Sequence, residues 1–406
     1  MGVFVVLFSA IQAQDNGIHF EHNSSWKTVL SKAKAENKYI LVDCFTTWCG
    51  PCRYMSSTIF PKEEVGTFFN DKFINVEFQL DTTVKDAEDI KALYADAAFI
   101  SKQYNIVAYP TFLFFSPDGQ IVHREVGGSN ADEFIAKGKN ALDPEKQYYT
   151  QVEKYESGNR DAAFLKNLTL LTINCLDETL RAKYAKDYLS TQGNFFSNDN
   201  LLFIYQSTKS TTDTGFNLMM KNIKKFESVV DKKELLYTLK MIIIPSEFLQ
   251  ADNKGDWTTK QWNSYANGLK KKYVFLAEDI LFRVKIITYR NKNDWNTFAE
   301  VVTKYASSQS HRADELNEYA WTIFGKSSDK RILEEALVWS KIAFTDQEKI
   351  EPGYIDTYAN LLYKIGRKKE ALEWEMKAQK IAIEQGADKS WGQDVIDKIN
   401  KGEKTW

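Results

Sequence analysis

The stretch that decides the fold is YILVDCFTTWCGPC, residues 39–52. Its first half, Tyr39 to Phe45, is largely apolar and rich in strand-forming residues, which predicts a strand covered on both faces. Cysteines follow at positions 49 and 52, where the strand gives way to a predicted helix. This order places the sulfur atoms at a helix N-terminus, and it therefore predicts a reactive site there.

The spacing of the two cysteines suits thiol–disulfide exchange. A thiolate at Cys49 is stabilised by the unpaired backbone amides and by the positive end of the helix dipole. Two intervening residues let the sulfur of Cys52, one turn later, reach disulfide geometry. Pro51 lies in the first turn, where its missing N–H costs nothing. We therefore predict that Cys49 attacks a disulfide and that Cys52 resolves the intermediate.

Helical and strand patterns alternate on both sides of this motif. Helices are predicted at 25–38, 52–60, 62–70, 86–104 and 131–142, and strands at 39–45, 73–80, 107–115 and 120–126. The turn Ser116-Pro117-Asp118-Gly119 joins the last two strands, and Asp143-Pro144 marks a domain boundary. The alternation predicts an α/β domain with a mixed sheet, residues 14–143.

Several separated features besides the cysteines resemble the thioredoxin family. Asp43 lies six positions before Cys49, as the buried aspartate of that family does, and Tyr109-Pro110-Thr111 matches the cis-proline loop. Gly127-Gly128 follows the last strand. The resemblance covers residues 24–141 and is nearest to the exported branch, which includes the C-terminal domain of the bacterial transmembrane thiol reductase. It implies a thioredoxin fold.

The resemblance also implies a task for individual residues. Asp43 would exchange a proton with Cys52 as a general base and acid. Glu77 stands near the position where many thioredoxins have a lysine, and its charge would raise the pKa of Asp43 further. The implied substrate-binding residues are Trp48, Gly50, Pro51, Tyr109 and Pro110. The alternative is that Asp43 is only a polar strand end and Trp48 only a core residue.

Zinc binding is the competing interpretation of the cysteine pair, and it needs two further ligands. The histidines, at positions 19, 22, 123 and 311, show no ligand spacing. Cys44 follows Asp43 in the strand and points to the opposite face, which favours a small core residue. Cys175 lies in an apolar helical run. The sequence therefore predicts no metal and no cofactor other than a redox-active Cys49–Cys52 disulfide.

Long stretches of helical periodicity beyond Pro144 predict an all-helical domain, residues 144–406. Tyr-Ala-Trp at 319–321 and Glu-Ala-Leu-Val-Trp at 335–339 resemble Tyr-Ala-Asn at 358–360 and Glu-Ala-Leu-Glu-Trp at 370–374. The spacing is typical of helical repeats, and the segments resemble tetratricopeptide repeats at about 314–386. An ordinary helical bundle is the alternative, because aromatic stripes at helical spacing are usually core.

Composition and the first residues bear on location and partners. A net charge of −2 provides no basic field for phosphates, which excludes nucleic acid as an expected partner. An apolar run, Gly2 to Ile11, precedes small and polar residues and predicts a signal peptide at 1–13, although no basic residue precedes the run. An apolar first strand is the alternative. The predicted location is periplasmic or otherwise extracytoplasmic.

These features together predict an exported protein-disulfide reductase. Gly50-Pro51, with no histidine between the cysteines, favours the reductant end of the scale. The expected partners are protein disulfide substrates, a membrane thiol reductant as electron donor, and a client protein on the helical repeats. Two alternatives stay open. One is a disulfide oxidase or isomerase, and the other is a binding module in which the repeats dock a partner and redox activity is secondary.

Overall fold

The computed structural model describes residues 16–22, 24–252, 256–308, 311–345 and 350–406. The predicted signal peptide, 1–13, lies outside these stretches. The chain divides into two compact units, one ending at Val229 and one running from Val230 to Trp406. The predicted domain limits, 14–143 and 144–406, stay predictions. Within the described stretches, no helix combines the length and the apolar character needed to cross a bilayer.

A four-stranded mixed sheet organises the first unit. Its strands, in chain order, are β1 Tyr39–Phe45, β2 Phe73–Gln79, β3 Thr111–Phe115 and β4 Ile121–Val126. The spatial order is β2-β1-β3-β4, with β1 parallel to β2 and antiparallel to β3, and β3 antiparallel to β4. The predicted α/β thioredoxin fold is therefore confirmed for this part of the chain.

Helices cover both faces of the sheet. They are α1 Trp26–Glu36, α2 Gly50–Tyr54, α3 Glu63–Lys72, α4 Glu88–Ala92, α5 Tyr94–Gln103 and α6 Ala131–Leu142. Val42 and Cys44 pack on one face with α1 and α5, whereas Leu41 packs on the other with Met55 and Phe134. The alternation along β1 follows from the two-residue period of a strand. It explains why β1 is apolar on both faces.

Three predicted elements differ from those observed. The strand predicted at 107–115 begins only at Thr111, because Pro110 has no N–H to donate to a ladder. The helix predicted at 86–104 is interrupted at Leu93 between α4 and α5. The helix predicted from residue 52 begins at Gly50 and continues as a π-helical turn, Met55–Ile59.

Six further helices complete the first unit. They are α7 Tyr148–Glu156, α8 Ala162–Asn174, α9 Glu178–Ser190, α10 Asn198–Ser207, α11 Thr214–Lys221 and α12 Ile223–Phe226. We call α7–α12 the helical extension. The Tyr148 backbone N–H donates to Nδ1 of His123, a fully buried residue of β4, at 3.0 Å. The extension is thus attached to the edge strand of the sheet.

The described residues of the second unit form helices and their connections. The helices are α13 Lys232–Asp252, α14 Thr259–Tyr273, α15 Ala277–Asn291, α16 Trp295–Ala306, α17 Ala313–Lys326, α18 Lys330–Thr345, α19 Pro352–Lys364, α20 Lys368–Glu384 and α21 Gln393–Lys401. Small residues predicted to let paired helices approach are fully buried, namely Ala320, Ala336, Ala359 and Ala371. The all-helical prediction is confirmed, whereas the assignment of tetratricopeptide-like repeats stays a prediction.

Candidate active site at the Cys49–Cys52 disulfide

Cys49 and Cys52 are joined by a disulfide at the N-terminus of α2. Cys49 is the N-cap residue, and its Sγ accepts the backbone N–H of Cys52 at 3.1 Å. Both cysteines are buried, with 4% and 5% of their surface exposed. Pro51 lies in the first turn, as its missing N–H requires. A sulfur in this position receives an N–H and the helix dipole, both of which stabilise a thiolate after reduction.

The loop that leads into the motif is held by hydrogen bonds to a residue that follows β2. Thr47 donates its backbone N–H to Asp81 at 2.9 Å, and its hydroxyl donates to the other oxygen of the same carboxylate. The Cys49 N–H in turn donates to the Thr46 carbonyl at 3.2 Å. The sequence reasoning missed Asp81, because only the parallel pairing of β1 with β2 brings the ends of these strands together.

Asp43 lies on the same face of β1 as Leu41, the face that packs against Met55 beyond the active-site helix. It is 3% exposed, and its Oδ1 has no hydrogen-bond partner in the part of the chain that the structure describes. Burial raises the pKa of Asp43 well above the usual range for a carboxyl, and the charge of Glu77 raises it further. Asp43 therefore holds a proton more readily than an exposed aspartate does.

Glu77 is the direct register partner of Asp43 on β2. Burial raises the pKa of Glu77, and His22 acts in the opposite direction. Glu77 and His22 line a small cavity of about 70 Å³ together with Asp89. Sequence reasoning missed His22, since only a bridge between Phe20 and β2 places the N-terminal residues there.

The loop containing Tyr109 and Pro110 flanks the disulfide motif. The peptide bond between these residues is cis. The Tyr109 ring lies 5.6 Å, centroid to centroid, from the ring of Trp48, in an edge-to-face arrangement. Trp48 is 66% exposed, which argues against the alternative that it is a core residue. The two aromatic side chains thus form an apolar surface next to Cys49.

Two glycines, Gly127 and Gly128, lie next to Pro110 and Pro51. The Gly127 N–H donates to the Pro110 carbonyl at 2.8 Å. A Cβ on Gly128 would lie 3.6 Å from the Cβ of Pro51, in ordinary contact distance. Gly50 has open space beside it. The fold therefore brings together the predicted substrate-binding residues, Trp48, Gly50, Pro51, Tyr109 and Pro110, although their roles stay predictions.

The two remaining cysteines are not part of the site. Cys44 and Cys175 are fully buried, and burial raises the pKa of both thiols well above the ordinary value. Both are therefore held as unreactive thiols. Among the residues with described positions, no three His, Cys, Asp or Glu side chains are grouped so that they could hold a metal ion.

A family model for a thioredoxin-like domain matches residues 26–142. This segment belongs to the thioredoxin-like family. The match contains the sheet, the Cys49–Cys52 pair, Asp43 and the Tyr109–Pro110 loop. It ends where α6 ends, at Leu142, so the helical extension and the second unit lie outside it.

Individual relatives are thiol–disulfide proteins. Thioredoxin-2 from Pyricularia oryzae is 31% identical over 27% of this chain and 52% of its own length. The thiol:disulfide interchange protein DsbD of Yersinia pestis (strain Pestoides F) is 30% identical over 27% of this chain and 17% of its length. The solution structure of a candidate disulphide-isomerase from Bacteroides thetaiotaomicron is 34% identical, covering 32% of this chain and 98% of that one, with a TM-score of 0.27.

The matches cover only part of this chain and part of its curated relatives. The chain spans about half the length of the first curated relative that it matches. These matches cover between 27% and 32% of this chain.

Proposed function

We propose that this protein is a thiol–disulfide oxidoreductase that reduces disulfide bonds in client proteins. The observation that carries the proposal is the Cys49–Cys52 disulfide at the N-terminus of α2, beside the cis peptide bond of Tyr109 and Pro110. The motif supplies both sulfur atoms that a two-step exchange requires. The relatives named as thioredoxins and as a thiol:disulfide interchange protein support the same chemistry.

The exchange proceeds through a mixed disulfide. The Cys49 thiolate attacks one sulfur of the client disulfide, the client S–S bond breaks, and the other client sulfur leaves as a thiolate. Cys52 then attacks the Cys49 sulfur, which releases the second client thiolate and forms the Cys49–Cys52 disulfide. Two electrons have passed to the client. A dithiol donor restores the reduced protein by the reverse exchange.

Asp43 takes the proton of Cys52 in the second step. An attacking sulfur must be a thiolate, and a buried base with a raised pKa accepts its proton near neutral pH. Asp43 lies on the sheet face that packs against the continuation of α2, and burial raises its pKa. The rate of resolution therefore rises with pH as Asp43 loses its own proton.

The client contacts the aromatic surface formed by the exposed Trp48 and the half-buried Tyr109. An extended client segment lies along the backbone of the Tyr109–Pro110 loop, in the manner of a peptide added to a sheet edge. We place the protein outside the cytoplasm and assign its electron donor to a membrane thiol reductant. The apolar run from Gly2 to Ile11 and the DsbD relative support this placement.

Insulin reduction by the full chain tests the proposed activity. The reduced wild-type protein is expected to precipitate the insulin B chain, and Cys49→Ser is expected to fall to the uncatalysed rate because the nucleophile is lost. Cys44→Ala is the matched control, since it removes a buried thiol outside the site. Equal rates for wild type and Cys49→Ser would overturn the proposal.

The direction of electron flow requires a second measurement. Equilibration with a glutathione redox buffer gives the reduction potential of the Cys49–Cys52 pair. A reductase is expected near the thioredoxin value of about −270 mV, whereas a potential near about −120 mV would assign the protein to the oxidases. Refolding of a scrambled disulfide substrate tests the isomerase alternative, since an isomerase restores native pairing without net reduction.

A further inference from the structure

A cleft of about 550 Å³ lies beside the Tyr109–Pro110 loop in the first unit. We call it the extension cleft, and its main lining residues are Tyr104, Val107, Arg124, Tyr149, Leu176 and Glu178. One wall begins at Val107, two residues before Tyr109. The opposite wall comes from α7 and the start of α9. That opposite wall lies outside the thioredoxin-like match, which ends at residue 142.

The two walls are held together at the base of the cleft. The Arg124 Nη1 donates to the Tyr104 carbonyl at 3.0 Å, and the same guanidinium lies close enough to Tyr149 for its charge to lower the pKa of that phenol against the larger, opposite effect of burial. The Cys175 thiol donates to the Arg124 carbonyl at 3.2 Å. A strand residue thus connects the loop before Tyr109 to α7 and to the residue before Leu176. The cleft is therefore preformed.

The lining offers three kinds of contact. Val107 and Leu176 are apolar and are 61% and 40% exposed. Glu178 is an exposed acid on the rim with Asp177 beside it, and its Oε2 also accepts a hydrogen bond from Arg181 Nε at 2.8 Å. Arg124 is 6% exposed, and its Nε has no hydrogen-bond partner among the residues that the structure describes. Apolar side chains, basic side chains and backbone carbonyls complement these groups.

We propose that the extension cleft binds the client segment next to the cysteine that reacts with Cys49, and that it selects segments with an apolar and a basic residue. The inference rests on the proposed function. A client segment lying along Tyr109 reaches Val107 two residues further on. Its apolar side chain then packs between Val107 and Leu176, and its basic side chain meets Glu178. The helical extension thereby determines client choice through a cleft wall that lies outside the domain match.

Peptide disulfides with a chromogenic leaving group test this selection. The probes are short peptides whose single cysteine is disulfide-bonded to thionitrobenzoate, flanked either by leucine and lysine or by serine and glutamate. The full chain carrying Cys52→Ala is used in its reduced form, and Ellman's reagent serves as the small disulfide. Cys49 attacks the peptide sulfur, a peptide–Cys49 disulfide forms, and thionitrobenzoate leaves as the coloured thiolate.

The wild-type cleft is expected to favour the leucine–lysine peptide over the serine–glutamate peptide on the order of tenfold in rate. Leu176→Asn and Glu178→Lys, each added to Cys52→Ala, are expected to bring this ratio towards one. Asparagine tolerates the positive φ of 50° at residue 176. Leu202→Asn is the matched control, because Leu202 on α10 is also 40% exposed, and it is expected to keep the full ratio.

Photocrosslinking locates the bound peptide without relying on a change in rate. A benzophenone amino acid replaces Leu176 or, in the control, Leu202, and the trapped peptide complex is irradiated. A crosslink from position 176 and none from position 202 supports the extension cleft. Equal crosslinking at the two positions, or equal rates for both peptides with wild-type lining, overturns this inference alone if Ellman's reagent still reacts. Failure of every disulfide to release thionitrobenzoate overturns the proposed function and this inference with it.

Discussion

Each unit buries a pair of carboxyl groups, and the two pairs differ in what surrounds them. Asp43 and Glu77 lie side by side on β1 and β2. In the second unit, Glu375 of α20 lies close enough to Asp356 of α19 for the charge of Asp356 to raise the pKa of Glu375. Burial is the largest cause of the raised pKa in all four groups.

The two carboxyl pairs differ in the groups that lie next to them. Asp43 lies on the sheet face that packs against the continuation of the helix carrying Cys52, a sulfur that must lose a proton. Asp356 receives a hydrogen bond from the Asn360 amide at 3.1 Å, within its own helix. A raised carboxyl pKa therefore identifies a catalytic base only when a reacting group lies near it. Variants of the four carboxyl groups test this distinction when the rate of client reduction and the free energy of unfolding are both measured.

Asp43→Asn is expected to produce the largest effect. The variant removes the base that accepts the Cys52 proton, so the rate of client reduction near pH 7 is expected to fall about 100-fold. It also removes a buried carboxyl that ionises more readily in the unfolded chain than in the folded protein, so the free energy of unfolding near pH 7 is expected to rise on the order of 1–3 kcal/mol. Stopped-flow reduction of a peptide disulfide and urea unfolding measure the two quantities. A variant that keeps the wild-type rate would show that Asp43 is only a buried polar residue.

Glu375→Gln is expected to change stability without changing rate. The raised pKa in the folded protein means that the folded state binds more protons than the unfolded state above pH 4.5, so stability falls as the pH rises from there towards the folded pKa. The amide cannot ionise and can donate to Asp356. The free energy of unfolding at pH 8 is therefore expected to rise on the order of 1–3 kcal/mol. Loss of insulin reduction in this variant would show that Glu375 takes part in catalysis, against the distinction drawn between the two pairs.

Asp356→Asn is expected to have a smaller stabilising effect than Glu375→Gln. Asn360 already offsets part of the cost of a charge at Asp356, because its amide donates to Oδ1 of that carboxyl. The gain at pH 8 is expected to be about 1 kcal/mol. Urea unfolding of the full chain at pH 5 and pH 8 measures it. A gain that is equal at the two pH values would show that ionisation is not the cause.

Glu77→Gln is expected to have the smallest effect. Removing the charge of Glu77 lowers the pKa of Asp43, so the pH midpoint of the client-reduction rate is expected to move down by less than about one unit. Glu77→Lys is expected to move it further in the same direction. Glu63→Gln, an exposed acid on α3, is the control. An upward shift in Glu77→Gln would contradict the assigned electrostatics.

The sequence was sufficient for the features that depend on local pattern. The strand at 39–45 and the helix at 131–142 agree with β1 and α6, because strand period and capping are local properties. The helix predicted from residue 86 begins only at Glu88, since Asp86 instead holds a loop by accepting hydrogen bonds from Thr83 and Tyr94.

The sequence did not predict features that depend on contacts between residues far apart in the chain. Thr47 and Asp81 meet only because β1 and β2 pair in parallel. Arg124 resembles an ordinary strand residue, and nothing in its spacing shows that Tyr149 packs beside it. The same reason explains why Glu375 went unnoticed: its complete burial results from how the helices pack.

The attachment of α7 to His123 has a consequence for exchanging modules between proteins. Nδ1 of this imidazole accepts the Tyr148 N–H, and the ring is fully buried beneath the extension. A fragment cut at residue 142 would leave the ring uncovered on an edge strand, with its acceptor facing water. A grafted redox domain with no hydrogen-bond acceptor at the position of His123 would in turn leave the Tyr148 amide without this partner. A working chimera must therefore carry strand β4 and the helical extension together.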